Sequence, residues 1–399
     1  MCSTAFPAVA LAQLDFPPPI TVQTHFTPYA DAAYELNSNL FDLSDSQPEA
    51  VGHDGPTRSD RVFRARIGFD AAYDWSRQEF FFNGEARRFD YDHFTQLNHD
   101  EYLLHGGWKW QIASLLDGLL DVSRERSIVP FLQFDETLVP ITQLYLQVQT
   151  VGTASINLQV TPEWRLESQG KINNQDSPRP GLPDLQLREN SIQEAIRYVG
   201  FANLSAGIDG SYLQGRFSNG VFFNEPNYHQ TTADLAADYS LSGLSTFHGA
   251  IGYTDRQLEQ AGRISGLTGL LSYERQLTGK TSFVVKLSRA INTYISAATP
   301  EVDTAAELDV AWNATEKIKV AAGYQWLHSS FSETQIAGVI TASRVDRIQT
   351  PTLSVRYQPF DWLLVRPYGQ YQTRSSSIDF YSFNGTVYGI ELEARFPFQ

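Results

Sequence analysis

Apolar side chains recur at every second position along this chain, in segments of about ten residues, the period of an extended strand with two opposite faces. Ala233, Leu235, Ala237, Tyr239 and Leu241 share one phase, while Thr232, Asp234, Ala236, Asp238 and Ser240 share the other. Near the carboxyl end, Tyr388, Ile390, Leu392, Ala394 and Phe396 alternate with Gly389, Glu391, Glu393 and Arg395 in the same way. One face suits hydrocarbon and the other suits water, the pattern of a strand in a membrane-spanning β-barrel. A single half-buried strand of a soluble sandwich alternates too. The number of such segments and the joints between them decide the matter.

The joints alternate in length. Long polar stretches occupy residues 38–60, 90–101, 127–142, 173–189, 217–229, 257–263, 290–303, 328–344 and 374–383. Between them lie tight turns at Ser76-Arg77, Leu116-Asp117-Gly118, Thr161-Pro162, Ala202-Asn203, Ser242-Gly243, Thr278-Gly279-Lys280, Ala314-Thr315-Glu316 and Pro359-Phe360-Asp361, built from residues with known turn preferences. Nine long joints and eight short ones imply an all-β, antiparallel barrel of 18 strands with both ends of the sheet on the short-turn side. Even strand number, short periplasmic turns and longer outer loops are the outer-membrane arrangement. Sixteen strands is the alternative, because residues 119–126 and 190–200 are weakly patterned.

Composition is consistent with this reading. The 399 residues contain no apolar run near the roughly 18 residues that a spanning helix requires, which excludes a helical membrane protein. Charged residues are 19% of the chain, below the roughly 25% of an average soluble domain, as expected when half of each strand meets lipid. Trp75, Phe201, Tyr239, Tyr357 and Trp362 all sit close to short turns, where a periplasmic aromatic girdle belongs.

The amino terminus reads as the tail of a secretory signal. Ala5 to Leu11 is small and apolar, and Ala10-Leu11-Ala12 is an A-x-A cleavage pattern before Gln13. The expected organisation is a signal remnant over residues 1–12, a periplasmic lead-in over 13–28 and a barrel over 29–399, located in the bacterial outer membrane. Cys2 is the sole cysteine and falls within the signal remnant, so no disulfide framework is expected. The formal net charge of −15 makes nucleic acid a poor partner, and the lipid of the outer membrane the expected one.

A barrel of this size leaves an aqueous channel unless something fills it. The inward phase supplies the candidate lumen-lining residues: Arg64, Arg66, Glu85, Arg87, Asp234, Asp238, Glu307, Asp309, Lys319, Arg356, Arg366, Tyr368, Glu391, Glu393 and Arg395. Arg64 and Arg66 beside Glu85 and Arg87 are placed to form ion pairs across the wall. His99-Asp100-Glu101 has the residue types of a catalytic or metal site, yet it falls in an expected outer loop without the helical spacing of a zinc motif, and reads as solvated. Glu391 and Glu393 resemble a glycosidase pair by type alone and read as wall charges. No catalytic residue, metal ligand or cofactor is expected.

Several stretches resemble one known family: the opening strand followed by Asn37-Ser38-Asn39-Leu40-Phe41, the Trp108-Lys109-Trp110 strand with Gly118 in its turn, and Ser265-Gly266-Leu267-Thr268-Gly269 leading to Leu277-Thr278-Gly279-Lys280. They are similar to the EpsL-like outer-membrane barrels encoded with exopolysaccharide and exosortase loci, within the broader set of β-barrel porins. That resemblance implies a conduit or scaffold for exopolysaccharide crossing the outer membrane, with polysaccharide and periplasmic export components as partners. A general diffusion porin for small solutes and a barrel enzyme modifying surface polysaccharide are the alternatives.

Overall fold

The computed structural model describes residues 25–129, 142–178, 185–218, 227–259, 262–294, 299–332, 334–336, 339–341 and 343–396. The expected signal remnant lies outside them. Eighteen barrel strands follow one another in chain order: β1 (His25–Asn37), β2 (Asp60–Trp75), β3 (Gln78–Tyr91), β4 (His99–Ile112), β5 (Leu116–Ile128), β6 (Leu146–Gln159), β7 (Trp164–Ser177), β8 (Leu185–Tyr198), β9 (Leu204–Ser218), β10 (Tyr228–Ser242), β11 (Ser245–Leu258), β12 (Gly262–Gln276), β13 (Thr281–Tyr294), β14 (Thr299–Asn313), β15 (Ile318–Phe331), β16 (Arg344–Phe360), β17 (Leu363–Ser376) and β18 (Phe383–Arg395). Each pairs antiparallel with the next, and β1 pairs with β18 from Tyr29↔Arg395 to Asn37↔Val387, closing the sheet. Closure satisfies the backbone of both terminal strands, as a spanning sheet in hydrocarbon requires. The weakly patterned segments at 119–126 and 190–200 are β5 and β8, so the 18-strand count stands over the alternative of 16.

Large apolar side chains on one phase of each strand are exposed, among them Ile67 and Tyr73 on β2, Ile251 and Tyr253 on β11, and Ile390 and Leu392 on β18. In a closed barrel that phase is the lipid-facing one, and the opposite phase lines the lumen. Trp75, Phe201, Tyr357 and Trp362 form an exposed aromatic set near the short turns.

The boundaries differ from the sequence reading in three places. First, β1 begins at His25, so the last residues of the expected lead-in are strand, paired from His25↔Ala72 onward. Second, the turn between β4 and β5 is Ala113–Leu115, with Ala113 at a φ of 54°. Gly118 lies inside β5 instead, where a Cβ would collide with the Trp110 ring and the Ser155 carbonyl. Third, pairing runs further into the outer connections than alternation indicates, reaching Leu258↔Gly262 between β11 and β12. Beyond the lipid both faces are wet, so paired residues there carry no period-2 signature.

The short turns share a device. Thr278 Oγ1 accepts from the amides of Lys280 at 3.1 Å and Thr281 at 3.0 Å, and Thr161 Oγ1 accepts from Glu163 at 3.3 Å and Trp164 at 3.2 Å. Thr315 Oγ1 accepts from Lys317 at 3.2 Å. A threonine hydroxyl standing in for a backbone acceptor lets the chain reverse within a few residues.

At the opposite end, the β1–β2 connection folds into an ordered cap. Leu40, Phe41, Leu43 and Ala50 pack against Val62, Phe89 and Tyr91 on the upper inner wall and against Phe94 and Leu97 of the β3–β4 connection. Asn39 fastens it, donating to the carbonyls of Leu43 and Asn384 at 2.9 Å and accepting from the Leu43 amide at 2.9 Å. Arg58 donates to the carbonyls of Leu43, Ser44 and Gln47, and the Asp60 carboxylate accepts from the amides of His93 at 2.9 Å and Phe94 at 3.0 Å. Within this cap Asp42 has a φ of 54°. Desolvation pushes its carboxyl up to about 7, with the positive charge of Arg374 pulling the other way.

Candidate functional site

The closing seam carries a continuous ionic wall. Register places Asp31 of β1 between Glu393 of β18 and Arg66 of β2, with Arg87 of β3 and Glu101 of β4 next in the row. Arg66 pairs with Asp31, with Glu85 at 3.2 Å and with Glu393 at 3.2 Å. Arg64 reaches Asp31 at 3.3 Å and Glu391 at 2.5 Å, and Arg366 meets Glu391 from the other side at 2.6 Å. Arg87 pairs with Glu85, Glu101 and Glu125. Arg395 pairs with Glu393 at 2.5 Å and Asp70 at 3.4 Å. The expected pairing of arginines with Glu85 is present for Arg66 and Arg87, whereas Arg64 turns toward the seam.

His99 and Glu101 correct one expectation. They are not solvated loop residues: both are buried in β4, with His99 Nε2 3.2 Å from Glu101 and the Ile128 amide donating to Glu101 at 2.9 Å. The reason is again that pairing continues above the lipid, which draws 99–101 into the sheet.

Three times the wall repeats one motif across adjacent strands. Tyr29 lies over Gly68 and donates to Glu85 at 3.0 Å, Tyr368 lies over Gly389 and donates to Glu35 at 2.8 Å, and Tyr228 lies over Gly215 and donates to Glu189 at 2.5 Å. In each case register sets tyrosine, glycine and glutamate side by side. The bare Cα of the glycine is what lets the ring cross its strand; a Cβ would occupy the ring's position.

A second ionic group sits on β7 to β11. Arg197 holds Glu167 at 3.0 Å, Asp209 at 2.9 Å and Asp238 at 3.5 Å, and Asp238 also meets His248 at 2.7 Å. Asp209 stands directly opposite Asp234, whose Oδ1 is buried without a hydrogen bond beside Gly252. Glu307 accepts from Gln325 at 3.0 Å, and Asp309 lies one strand from Gly323. At the outer rim, Arg344 and Arg374 share Asp346, and Arg344 stacks 3.9 Å from the ring centroids of both Phe331 and Tyr381.

All the lumen candidates named from sequence therefore lie on the inner face. Sequence reasoning missed Glu167, Arg197 and Asp209, of which only Arg197 lies in a stretch read as weakly patterned. It also missed Arg344, Asp346 and Arg374, which lie on the inner phase of β16 and β17. Strand phase alone was the signal available for all of them. Among the described residues no group of three or more His, Cys, Asp or Glu side chains is arranged to hold a metal ion.

These features define an outer-membrane β-barrel with a charged, water-facing wall. No family model matches the chain, and no curated protein does either. Solved structures match it across nearly its whole length at very low identity. The iron transporter FrpB from Neisseria meningitidis (F5-1 variant, apoprotein form) shares 7% identity at a TM-score of 0.54, covering 95% of this chain and 82% of that one. The copper transporter OprC shares 12% identity at a TM-score of 0.50, covering 91% of this chain and 63% of that one. The siderophore receptor PirA from Acinetobacter baumannii shares 8% identity at a TM-score of 0.49, covering 95% and 81%.

The expectation of exopolysaccharide export is corrected by these findings. The barrels matched at a TM-score of 0.50 or more are described as iron and copper transporters, and neither the general-porin nor the barrel-enzyme alternative gains support from them. The physical reason lies in what the resembling residues do. Asn39, Leu40 and Phe41 build the cap, Trp110 packs over Gly118, and Thr278 closes a turn. They are barrel-building features, serving the cap, a strand and a turn.

Proposed function

We propose that this protein is an outer-membrane uptake barrel that admits a small ionic solute through a lumen biased toward cations. The observation that carries the reading is the carboxylate content of the inner wall away from the seam. Asp209, Asp234 and Asp238 crowd β9 and β10, and Glu307 and Asp309 follow one another on the inner face of β14. Asp234 lacks an ion-pair partner among the described residues, and like charges directly opposite each other cost stability in a sheet. Carboxylates facing a water-filled channel concentrate cations along it. The likeness of the fold to an iron transporter and a copper transporter supports passage of a small ionic solute, at the level of architecture.

The test is reconstitution of the folded barrel in a planar bilayer under a potassium chloride gradient. Stable conductance with a reversal potential on the cation side is expected, shifting toward zero in an Asp234→Asn, Asp238→Asn, Glu307→Gln variant. A barrel that inserts, yet conducts nothing or prefers chloride, would overturn the proposal.

A further inference from the structure

The inner wall has one place where the charge logic reverses. Lys319 of β15 stands directly opposite Arg356 of β16. The register between Ser354↔Tyr368 and Tyr357↔Val365 sets Arg356 opposite Arg366 of β17. Three cations thus form a lateral row near the short-turn end, with neighbouring Cβ atoms about 5 Å apart. Glu391 neutralises Arg366 at 2.6 Å. Among the described residues, neither the Lys319 nor the Arg356 side chain makes an ion pair or a hydrogen bond, and both are exposed to the lumen.

On an inner wall whose seam arginines are nearly all matched to carboxylates, these two opposed and unmatched cations stand out. Beside Arg356 is a cavity of about 300 Å³ whose lining includes the guanidinium groups of Arg356 and Arg395, the carboxylates of Asp361 and Glu393, and Gln358 and Trp362; Lys319 flanks Arg356 on the neighbouring strand, outside that lining. Glu393 is already engaged by Arg395 and Arg66, so it does not neutralise Arg356. Gln358 donates to the Asp361 carbonyl at 3.1 Å, which holds the rim of the cavity in place.

We infer that Lys319 and Arg356, with this cavity, form a binding subsite for an oxyanion, a carboxylate or phosphate group, at the periplasmic end of the lumen. The guanidinium of Arg356 presents a planar fork to two oxygens while the ammonium of Lys319 supplies a point charge beside it. Binding would relieve the repulsion between the two cations, which makes the free site receptive. The subsite does not rest on the cation-biased uptake reading, and its oxyanion occupant is a bound group rather than the solute admitted by that reading.

The experiment is calorimetric titration of the folded barrel in micelles at low ionic strength, with inorganic phosphate and acetate as separate probes and chloride as control. Saturable binding of at least one oxyanion is expected, with the stronger of the two identifying the group preferred. Affinity should fall about tenfold or more in a Lys319→Gln, Arg356→Gln variant, the loss of two charge-assisted contacts. Arg356→Lys, which keeps the charge, should retain binding, and so should Lys280→Gln, Lys317→Gln, which removes the same charge from neighbouring turns. No saturable binding in the wild-type barrel, or equal loss in the turn variant, would overturn the subsite. Binding in a barrel that proves non-conducting would keep the subsite and refute the uptake reading.

Discussion

Glu391 shows how much of the closed state one side chain can hold. Its carboxylate is 2% exposed and accepts from Arg64 at 2.5 Å and Arg366 at 2.6 Å, joining β18 to β2 and β17 across the seam. Glu391→Gln keeps the shape and removes the charge, leaving Arg366 without its counter-ion and Arg64 with Asp31 alone. We expect a loss of about 3 kcal/mol, read as a lower urea midpoint for folding into lipid vesicles. Asp42 acts in the opposite sense. Its folded carboxyl is raised to about 7 from an unfolded value near 3.8, so the cap binds the proton that the unfolded loop releases. The contribution is fully present below the unfolded value and is lost as pH rises through about 7. Proteolysis of the 38–59 loop should therefore quicken between mildly acid and neutral pH. Asp42→Asn, which tolerates the positive φ, should flatten that profile. An unchanged pH dependence in the Asn variant would place the titrating group elsewhere.

At the scale of strands and turns, much was readable from local chemistry. Period-2 alternation located the strands because lipid and water demand opposite side chains on the two faces, and Thr278-Gly279-Lys280 announced a reversal because the hydroxyl and the glycine both serve one. Thr278→Ala should cost about 1 kcal/mol of folding stability, measured by the same urea titration, since the amides of Lys280 and Thr281 lose their acceptor. The tyrosine–glycine–glutamate rows were not readable. Tyr29, Gly68 and Glu85 are far apart in the chain and meet only when β1, β2 and β3 pair in register. Gly68→Ala should displace the Tyr29 ring and destabilise the barrel by about 2 kcal/mol. Tyr29→Phe should cost less, because the ring still packs when the hydroxyl bond to Glu85 is gone. If both variants cost the same, the glycine is not there to seat the ring. Strand ends were misjudged where alternation stops, as at His99 and Glu101, because outside the lipid neither face needs to be apolar.

For the whole molecule, the cap and the charged wall together bound the lumen. The cap core of Leu40, Phe41, Phe94 and Leu97 leans on the upper inner wall through Val62, Phe89 and Tyr91, so it narrows the outer mouth above the ionic seam. Replacing residues 40–57 with a short Gly/Ser linker should raise single-channel conductance while preserving the cation preference proposed above, because the carboxylates it is argued from lie lower in the barrel. Unaltered conductance would show that the constriction lies at the charged wall instead. The sequence by itself determined the barrel, the inner and outer phases and the end at which the short turns lie, because each follows from side-chain period or turn chemistry over a few residues, while the choice of 18 strands over 16 waited for the structure. Tertiary structure alone decided which charges meet. Arg64 finds Glu391 across 327 residues of chain, while Lys319 and Arg356 are left opposed to each other. Those outcomes depend on strand register and on closure of the sheet, and both are properties of strands brought together from distant parts of the chain.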